Sequence, residues 1–329
     1  MCITFFSITP NKNYKFLMIF NRDEFLARKT LQLDFHYKLD SYYKDFLFYP
    51  LDCAFEGTFL CINTKNGNFC CLLNNNHESI PFNPNSKFKR GEIPLEFCKL
   101  GTEDWDIFFK NLENNKQHYN GFNLICGNFV NEEYFYYSNK STDYNLKVPY
   151  KFSDPGVYGV SNSCLLENSV YNDKVDYGKK ILREILEKPS GSNEKEFVVK
   201  LFEFIGDKTR LFRNNEDIVK RELEKNYSEA IFDKDNKKFI CSSIFVDDKI
   251  NSFFLEYGTR HTICLLCDYE NNLSVYEYFD DVHFLLNEDT SVKYNNGGCE
   301  ENNFKVQGKY FLEKRNLENI KDYKFNLEN

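Results

Sequence analysis

Residues 1–24 read MCITFFSITPNKNYKFLMIFNRDE. Ile3, Phe5, Phe6 and Ile8 form one apolar run and Phe16 to Phe20 another, with Pro10-Asn11-Lys12-Asn13 between them as turn chemistry, so the segment predicts a β-hairpin. Both runs are apolar on successive positions. A strand of that kind needs cover on both faces, which places the hairpin in a sheet sandwiched between layers. Pairing Thr9 with Tyr14 sets Cys2 opposite Asn21 and leaves Arg22, Asp23 and Glu24 just past the strand end. A slip of one residue would spoil that pairing.

The pairing matters because Cys2 follows the initiator Met1 directly. Removal of Met1 would give one residue a nucleophilic sulfur and a free α-amine, whose pKa near ~8 lets it act as a base at neutral pH. The alternative reading of Cys2 is a buried structural thiol.

Outward from the hairpin, composition sets bounds. The 329 residues fit two average domains or one large α/β or α+β domain. Aromatic residues make up 17% of the chain, 34 of them Phe, enough for a large core. A net charge of −8 and a pI near 5.4 argue against a general nucleic-acid surface. No apolar stretch approaches transmembrane length, and the N-terminus lacks both a secretory leader pattern and a myristoylation glycine, so a soluble cytoplasmic protein with no integral membrane segment is expected. The 12 cysteines are scattered through strand-like runs, which favours reduced thiols used as small hydrophobes. Cys264 and Cys267 have metal-pair spacing, but on a strand positions three apart face opposite ways. The five histidines show no metal spacing, and no phosphate loop or dinucleotide fingerprint is present.

Further along, Leu31 to Tyr49 reads as an irregular excursion, and Thr58–Ile62 and Phe69–Leu73 read as a second hairpin across Asn66-Gly67. Helical patterns occupy Pro94–Leu100, Trp105–Leu112, Tyr171–Glu187 and Glu194–Phe204. Strand character marks Gly121–Phe129, Tyr134–Tyr137, Val157–Ser161, Ser242–Phe254, Thr262–Tyr269 and Leu273–Phe279, with a last candidate at Tyr323–Leu327. Strands, then helices, then strands predicts an α+β molecule with helices segregated to the faces of its sheets. We read residues 1–329 as a single domain with a flexible insertion at 287–303.

Polar groups sit at the ends of several apolar strands. Leu73-Asn74, Tyr158-Gly159-Val160-Ser161-Asn162 and Tyr257-Gly258-Thr259-Arg260 are each ordinary turn or capping chemistry when taken alone. Together with the N-terminus they supply a complete set for thiol attack on an amide or thioester. Cys2 is the candidate nucleophile, Asn74 and Asn162 candidate oxyanion donors, and Arg22, Asp23 and Arg260 candidate orienting charges.

The same residues carry a resemblance. Met1-Cys2-Ile3, Asn21-Arg22-Asp23-Glu24-Phe25, Glu56-Gly57-Thr58, Arg90-Gly91-Glu92, Tyr119 to Ile125, Tyr158 to Asn162 and Tyr257 to Arg260 occur in the order of the NRDE family, the transport and Golgi organization 2 proteins, which this chain resembles over most of Met1 to Phe279. The resemblance implies an N-terminal-nucleophile (Ntn) hydrolase-like fold, a four-layer αββα sandwich of two largely antiparallel sheets between helical layers. It implies a site at Cys2, Asn21, Arg22, Asp23, Asn74, Asn162 and Arg260, with Asn162 similar to an oxyanion-hole asparagine and Arg260 to a late-strand arginine. It implies roles in Golgi organization and secretion, with Golgi and mitochondrial association. The ligand implied is haem or an acyl-CoA or lipid carried as cargo, with no cofactor required. The alternative is an active N-terminal-cysteine amidohydrolase or thioesterase. The chain departs from the family pattern at Phe59, where the family has Trp, and at His261-Thr262, where it has small polar residues.

Overall fold

The computed structural model describes residues 2–25, 28–36, 42–75, 83, 86–140, 149–165, 172–187, 193–209, 232–233, 238–239, 244–246, 257–279 and 320–327. The strands are β1 (Ile3–Ile8), β2 (Tyr14–Phe25), β3 (Thr30–Phe35), β4 (Leu47–Asp52), β5 (Leu60–Asn63), β6 (Asn68–Asn74), β7 (Phe122–Asn128), β8 (Glu133–Ser138), β9 (Tyr150–Phe152), β10 (Gly156–Val160), the short β11 (Phe232–Asp233) and β12 (Lys238–Phe239), β13 (Tyr257–Asp268), β14 (Asn272–Phe279) and β15 (Lys321–Asn326). The helices are α1 (Ile93–Cys98), α2 (Trp105–Asn115), α3 (Asn172–Glu187) and α4 (Glu194–Ile205). This is the mixed, helix-poor arrangement expected of an α+β molecule.

Two antiparallel sheets dominate. The first runs β10-β1-β2-β13-β14-β15 and the second β3-β4-β5-β6-β7-β8-β9. Side-chain alternation along β2 shows how they are used. Phe16, Met18 and Phe20 join Phe6 and Cys2 in a core shared with Leu60, Ile62, Phe69, Leu73 and Ile125 of the second sheet. Leu17 and Ile19 turn the other way, to Val198, Leu201 and Phe202 of α4 and Leu182 of α3. A third core packs Trp105, Phe108, Phe109 and Leu112 of α2 and Phe97 of α1 on Cys70, Leu72 and Leu124 of the second sheet. Burial of each such large side chain contributes about 1.5–3 kcal/mol. Cys264 and Cys267 lie in different cores, as period-two geometry requires.

Local sequence explains the boundaries. Asn193 caps α4 by accepting from Lys195 N, and Gly206 ends it. Gly67, at φ 79°, permits the β5–β6 turn.

Two expectations need correction. The β1–β2 register pairs Ile3 with Asn21 and Ile8 with Phe16, one residue away from the predicted pairing, so Asn21 lies opposite Ile3 and not opposite Cys2. The cause is the turn. Asn11 Oδ1 accepts from the N–H groups of Asn13 and Tyr14, Thr9 adopts φ 52°, and Thr9 N bonds Lys15 O at 2.8 Å. Tyr14 N is thereby withdrawn from the ladder. Second, residues 31–49 are not wholly irregular, because β3 and β4 pair there. A register shift between Leu31 and Leu33 breaks the alternation that would have marked β3. The strand expected at Ser242–Phe254 falls mostly outside the described residues, and Ile244–Val246 within it form a bend. The insertion expected at 287–303 also lies outside them.

Candidate functional site

Cys2 directly precedes β1, belongs to the inter-sheet core and is 8% exposed. Its carbonyl accepts from Ser161 Oγ at 3.0 Å, tying it to the end of β10. Burial pushes the thiol pKa above its ordinary 9.0, against the downward pull of Arg22 and of a hydrogen bond from the Asp23 backbone N–H. The sulfur is therefore protonated at neutral pH.

The Asn21–Glu24 segment is strand, and the pleat divides it. Asn21 faces the helices, where Nδ2 donates to Ile205 O at 2.9 Å and Ile244 O at 3.2 Å, and Oδ1 accepts from Thr262 Oγ1 at 2.6 Å. Asp23 has the same parity; its Oδ1 accepts from Thr259 Oγ1 at 2.5 Å, and burial pushes its carboxyl upward against the opposing pull of the chain terminus and Lys174. Arg22 faces the other sheet. Its Nη1 donates to Thr30 Oγ1 at 3.0 Å, its Nη2 lies 3.4 Å from Asp52 and 3.5 Å from Glu24, and its guanidinium sits over Phe59 at 5.1 Å. One arginine thus bridges the two sheets beside Cys2.

Arg260 occupies the register shift between Thr259 and His261 in β13. That irregularity lets Thr259 serve the helix face while His261 serves the inter-sheet face. Arg260 is 4% exposed and donates from Nη1 to Arg28 O at 2.5 Å. Arg28 in turn pairs with Asp52 at 2.6 Å and Glu24 at 2.9 Å.

The two expected oxyanion asparagines meet each other. Asn162 Nδ2 donates to the Asn74 backbone carbonyl at 2.7 Å, while the buried Asn162 Oδ1 has no hydrogen-bond partner among the described residues. The Asn74 side chain makes no hydrogen bond among the described residues. Asn75, which the sequence reading passed over, is the buried neighbour that donates to Asn123 Oδ1, Ser138 Oγ and Cys164 Sγ at 3.1–3.3 Å. The structure thus gathers Cys2, Arg22, Asp23 and Arg260 at one end of the first sheet, joins Asn162 to the end of β6, and turns Asn21 to the helix layer.

Sequence reasoning also missed a pair. His261 Nε2 donates to Glu277 Oε1, both fully buried, and Glu277 also accepts from Leu33 N at 2.8 Å and Tyr323 Oη at 3.1 Å. Burial pushes His261 below its ordinary 6.5; hydrogen bonds from His261, Leu33 and Tyr323 outweigh burial at Glu277 and hold it below its ordinary 4.5. The pair is a neutral imidazole donating to a carboxylate. The alternating, strand-like run Leu273–Phe279 with a single glutamate in its buried half was the available signal. Among the described residues no cluster of His, Cys, Asp and Glu has metal-binding geometry, and no helix is long and apolar enough to cross a membrane.

The profile of the family described as Transport and Golgi organisation 2 matches residues 1–279. The chain belongs to this family. It is 28% identical over 196 residues to the human Transport and Golgi organization protein 2 homolog, covering 57% of this chain and 65% of that protein. It is 32% identical over 150 residues to an uncharacterized protein of Saccharomyces cerevisiae, covering 41% of this chain and 44% of that protein. The chain thus spans less than two thirds of the length of each of these curated relatives. The Phe59 and His261 rings lie 5.5 Å apart, edge to face.

Proposed function

We propose that this chain serves transport and Golgi organization by handling a small ligand, of the haem or acyl-CoA and lipid kind, at the Cys2 end of the inter-sheet core. The observation that carries this reading is the state of the would-be nucleophile. Cys2 is buried and its thiol is pushed upward, and the Asn162 amide is engaged with Asn74 O, an arrangement suited to holding a ligand more than to turnover. The order of the three cores, helix on sheet, sheet on sheet and sheet on helix, supports the four-layer Ntn hydrolase-like arrangement as the frame of the cleft.

A second reading is favoured by the Asp23 N–H on the Cys2 sulfur, which would steady a thiolate. In it, Met1 is removed, the freed amine takes the thiol proton, and sulfur attacks an acyl carbonyl. The leaving amine or thiol departs with that proton, and water cleaves the acyl-enzyme to acid and free thiol.

Intact-mass measurement of the N-terminus, followed by titration of wild type and Cys2→Ala with haem and with an acyl-CoA, separates the readings. Ligand handling predicts binding that survives Cys2→Ala without turnover. Loss of Met1 with acyl-CoA cleavage abolished by Cys2→Ala would establish the second reading instead, and a chain that binds neither compound would end the first.

A further inference from the structure

Arg90 is a cation that neither reading uses. Its place is set by two glycines. Gly57 and Gly91 pass so closely that a Cβ on Gly57 would lie 2.7 Å from the Gly91 carbonyl carbon, and Thr58 N bonds Gly91 O at 2.8 Å. This contact locks the Arg90 turn against the end of β4 and sends the guanidinium inward, where Nη1 donates to Gly121 O at 2.6 Å. That carbonyl also accepts from Asn75 N at 2.9 Å.

Charge around Arg90 is unbalanced. Arg22 and Arg28 share Glu24 and Asp52, so two guanidiniums already face these two carboxylates. Among the described residues no carboxylate lies within ion-pair distance of Arg90. Arg28 is near enough for its charge to lower the Arg90 pKa, Glu24 and, when ionised, the Cys2 sulfur are near enough to raise it, and Arg90 in turn acts on the buried Lys140. Burial and the like charge of Arg28 bring its pKa down to about 10, so it remains a cation. Among the described residues Arg90 thus has one bond, to a backbone carbonyl, and the rest of its planar fork is available to a bidentate oxyanion.

We propose that Arg90, flanked by Arg28 and Lys140, forms an anion subsite beside Cys2 that selects ligands carrying a carboxylate or phosphate group near the part held at the sulfur. This deepens the proposed function, since it rests on a ligand seated at Cys2, and assigns the ligand's charge. The bidentate fork fits either oxyanion, and charge matching gives selectivity against neutral analogues.

The test compares alkylation of Cys2 by iodoacetate and by iodoacetamide in the full chain, mapped by peptide mass spectrometry with Cys2→Ala as control. The thiolate displaces iodide from both reagents, so their rate ratio cancels thiol reactivity and reports local charge. The subsite predicts an iodoacetate to iodoacetamide ratio about tenfold above that of the urea-unfolded chain, shrinking with salt. It predicts loss of that excess in Arg90→Gln and its return in Arg90→Lys. Protection by inorganic phosphate, pyrophosphate or succinate tells phosphate recognition from carboxylate recognition. A ratio equal to the unfolded chain's overturns the anion subsite while leaving a reactive Cys2 in place. If neither reagent modifies Cys2, the nucleophile reading fails, and the subsite then stands or falls on whether pyrophosphate or succinate raises the melting temperature of wild type but not of Arg90→Gln.

Discussion

Replacing Glu277 by leucine removes the acceptor on which two buried donors and one half-buried donor converge. His261 Nε2, Leu33 N and Tyr323 Oη all end on its two oxygens, and they come from β13, β3 and β15, so one carboxylate ties three strands across both sheets. Leaving a buried donor unsatisfied costs about 1–3 kcal/mol, and a hydrogen bond to a charged acceptor is worth about 1.5–3 kcal/mol. The effects overlap, so Glu277→Leu should lower unfolding stability by about 3–5 kcal/mol, read from urea melts at unchanged slope. Because most of this arises from stranded donors, adding His261→Phe should recover at least about 1 kcal/mol. The pair also sets a pH dependence. With its folded pKa below 6.5, His261 protonates first in the unfolded chain, so stability is full above pH 6.5 and falls as pH drops below it. Glu277, held below its ordinary 4.5, contributes stability that is present above that value and is lost as pH falls through its folded pKa. His261→Phe should abolish the part of the decline that sets in just below pH 6.5. A Glu277→Leu protein within about 1 kcal/mol of wild type would refute the reasoning.

Other outcomes follow from the same contacts. Gly57→Ala forces backbone against backbone at Gly91 and should cost about 1–3 kcal/mol, seen as a lowered melting temperature; an unchanged melting curve would show that the turn yields freely. Asn21→Leu strips the bonds to Ile205 O and Ile244 O and should destabilise by about 2–4 kcal/mol, yet leave the Cys2 alkylation rate within twofold, because its side chain lies on the other face. The alkylation rate of Cys2 should be low at pH 7 and still climbing at pH 9, since burial raises the thiol above 9.0; a plateau below pH 8 would contradict that state.

Much of this was legible in the sequence, because strands covered on both faces leave continuous apolar runs. Leu17 to Phe20, Leu124 to Cys126 and Ile263 to Cys267 announce themselves, and so do Trp105, Phe108, Phe109 and Leu112 at helical spacing. What stayed hidden depended on single local events. The Asn11 side chain moved the first hairpin's register by one residue, and that changed the partner of Cys2. A register irregularity disguised β3, and another at Arg260 reversed the facing of Thr259 and His261. His261 and Glu277 meet diagonally across β13–β14, because His261 pairs with Phe279 and Ile263 with Glu277, a relation that needs the register and not only the strands. The candidate site was legible as a set of residue types. Its division between two faces was not.

That division makes the Asn21–Glu24 segment unusually sensitive to length. Substitution at Asn21 or Asp23 disturbs the helix layer and leaves the arginine bridge in place, while substitution at Arg22 does the reverse. Insertion or deletion of one residue just before Asn21 would exchange the two addresses, driving the guanidinium toward the apolar side chains of α4 and an amide toward Asp52. A frame error in this strand therefore has no conservative form, and chain length before Asn21 is as much a part of the site as the side chains themselves.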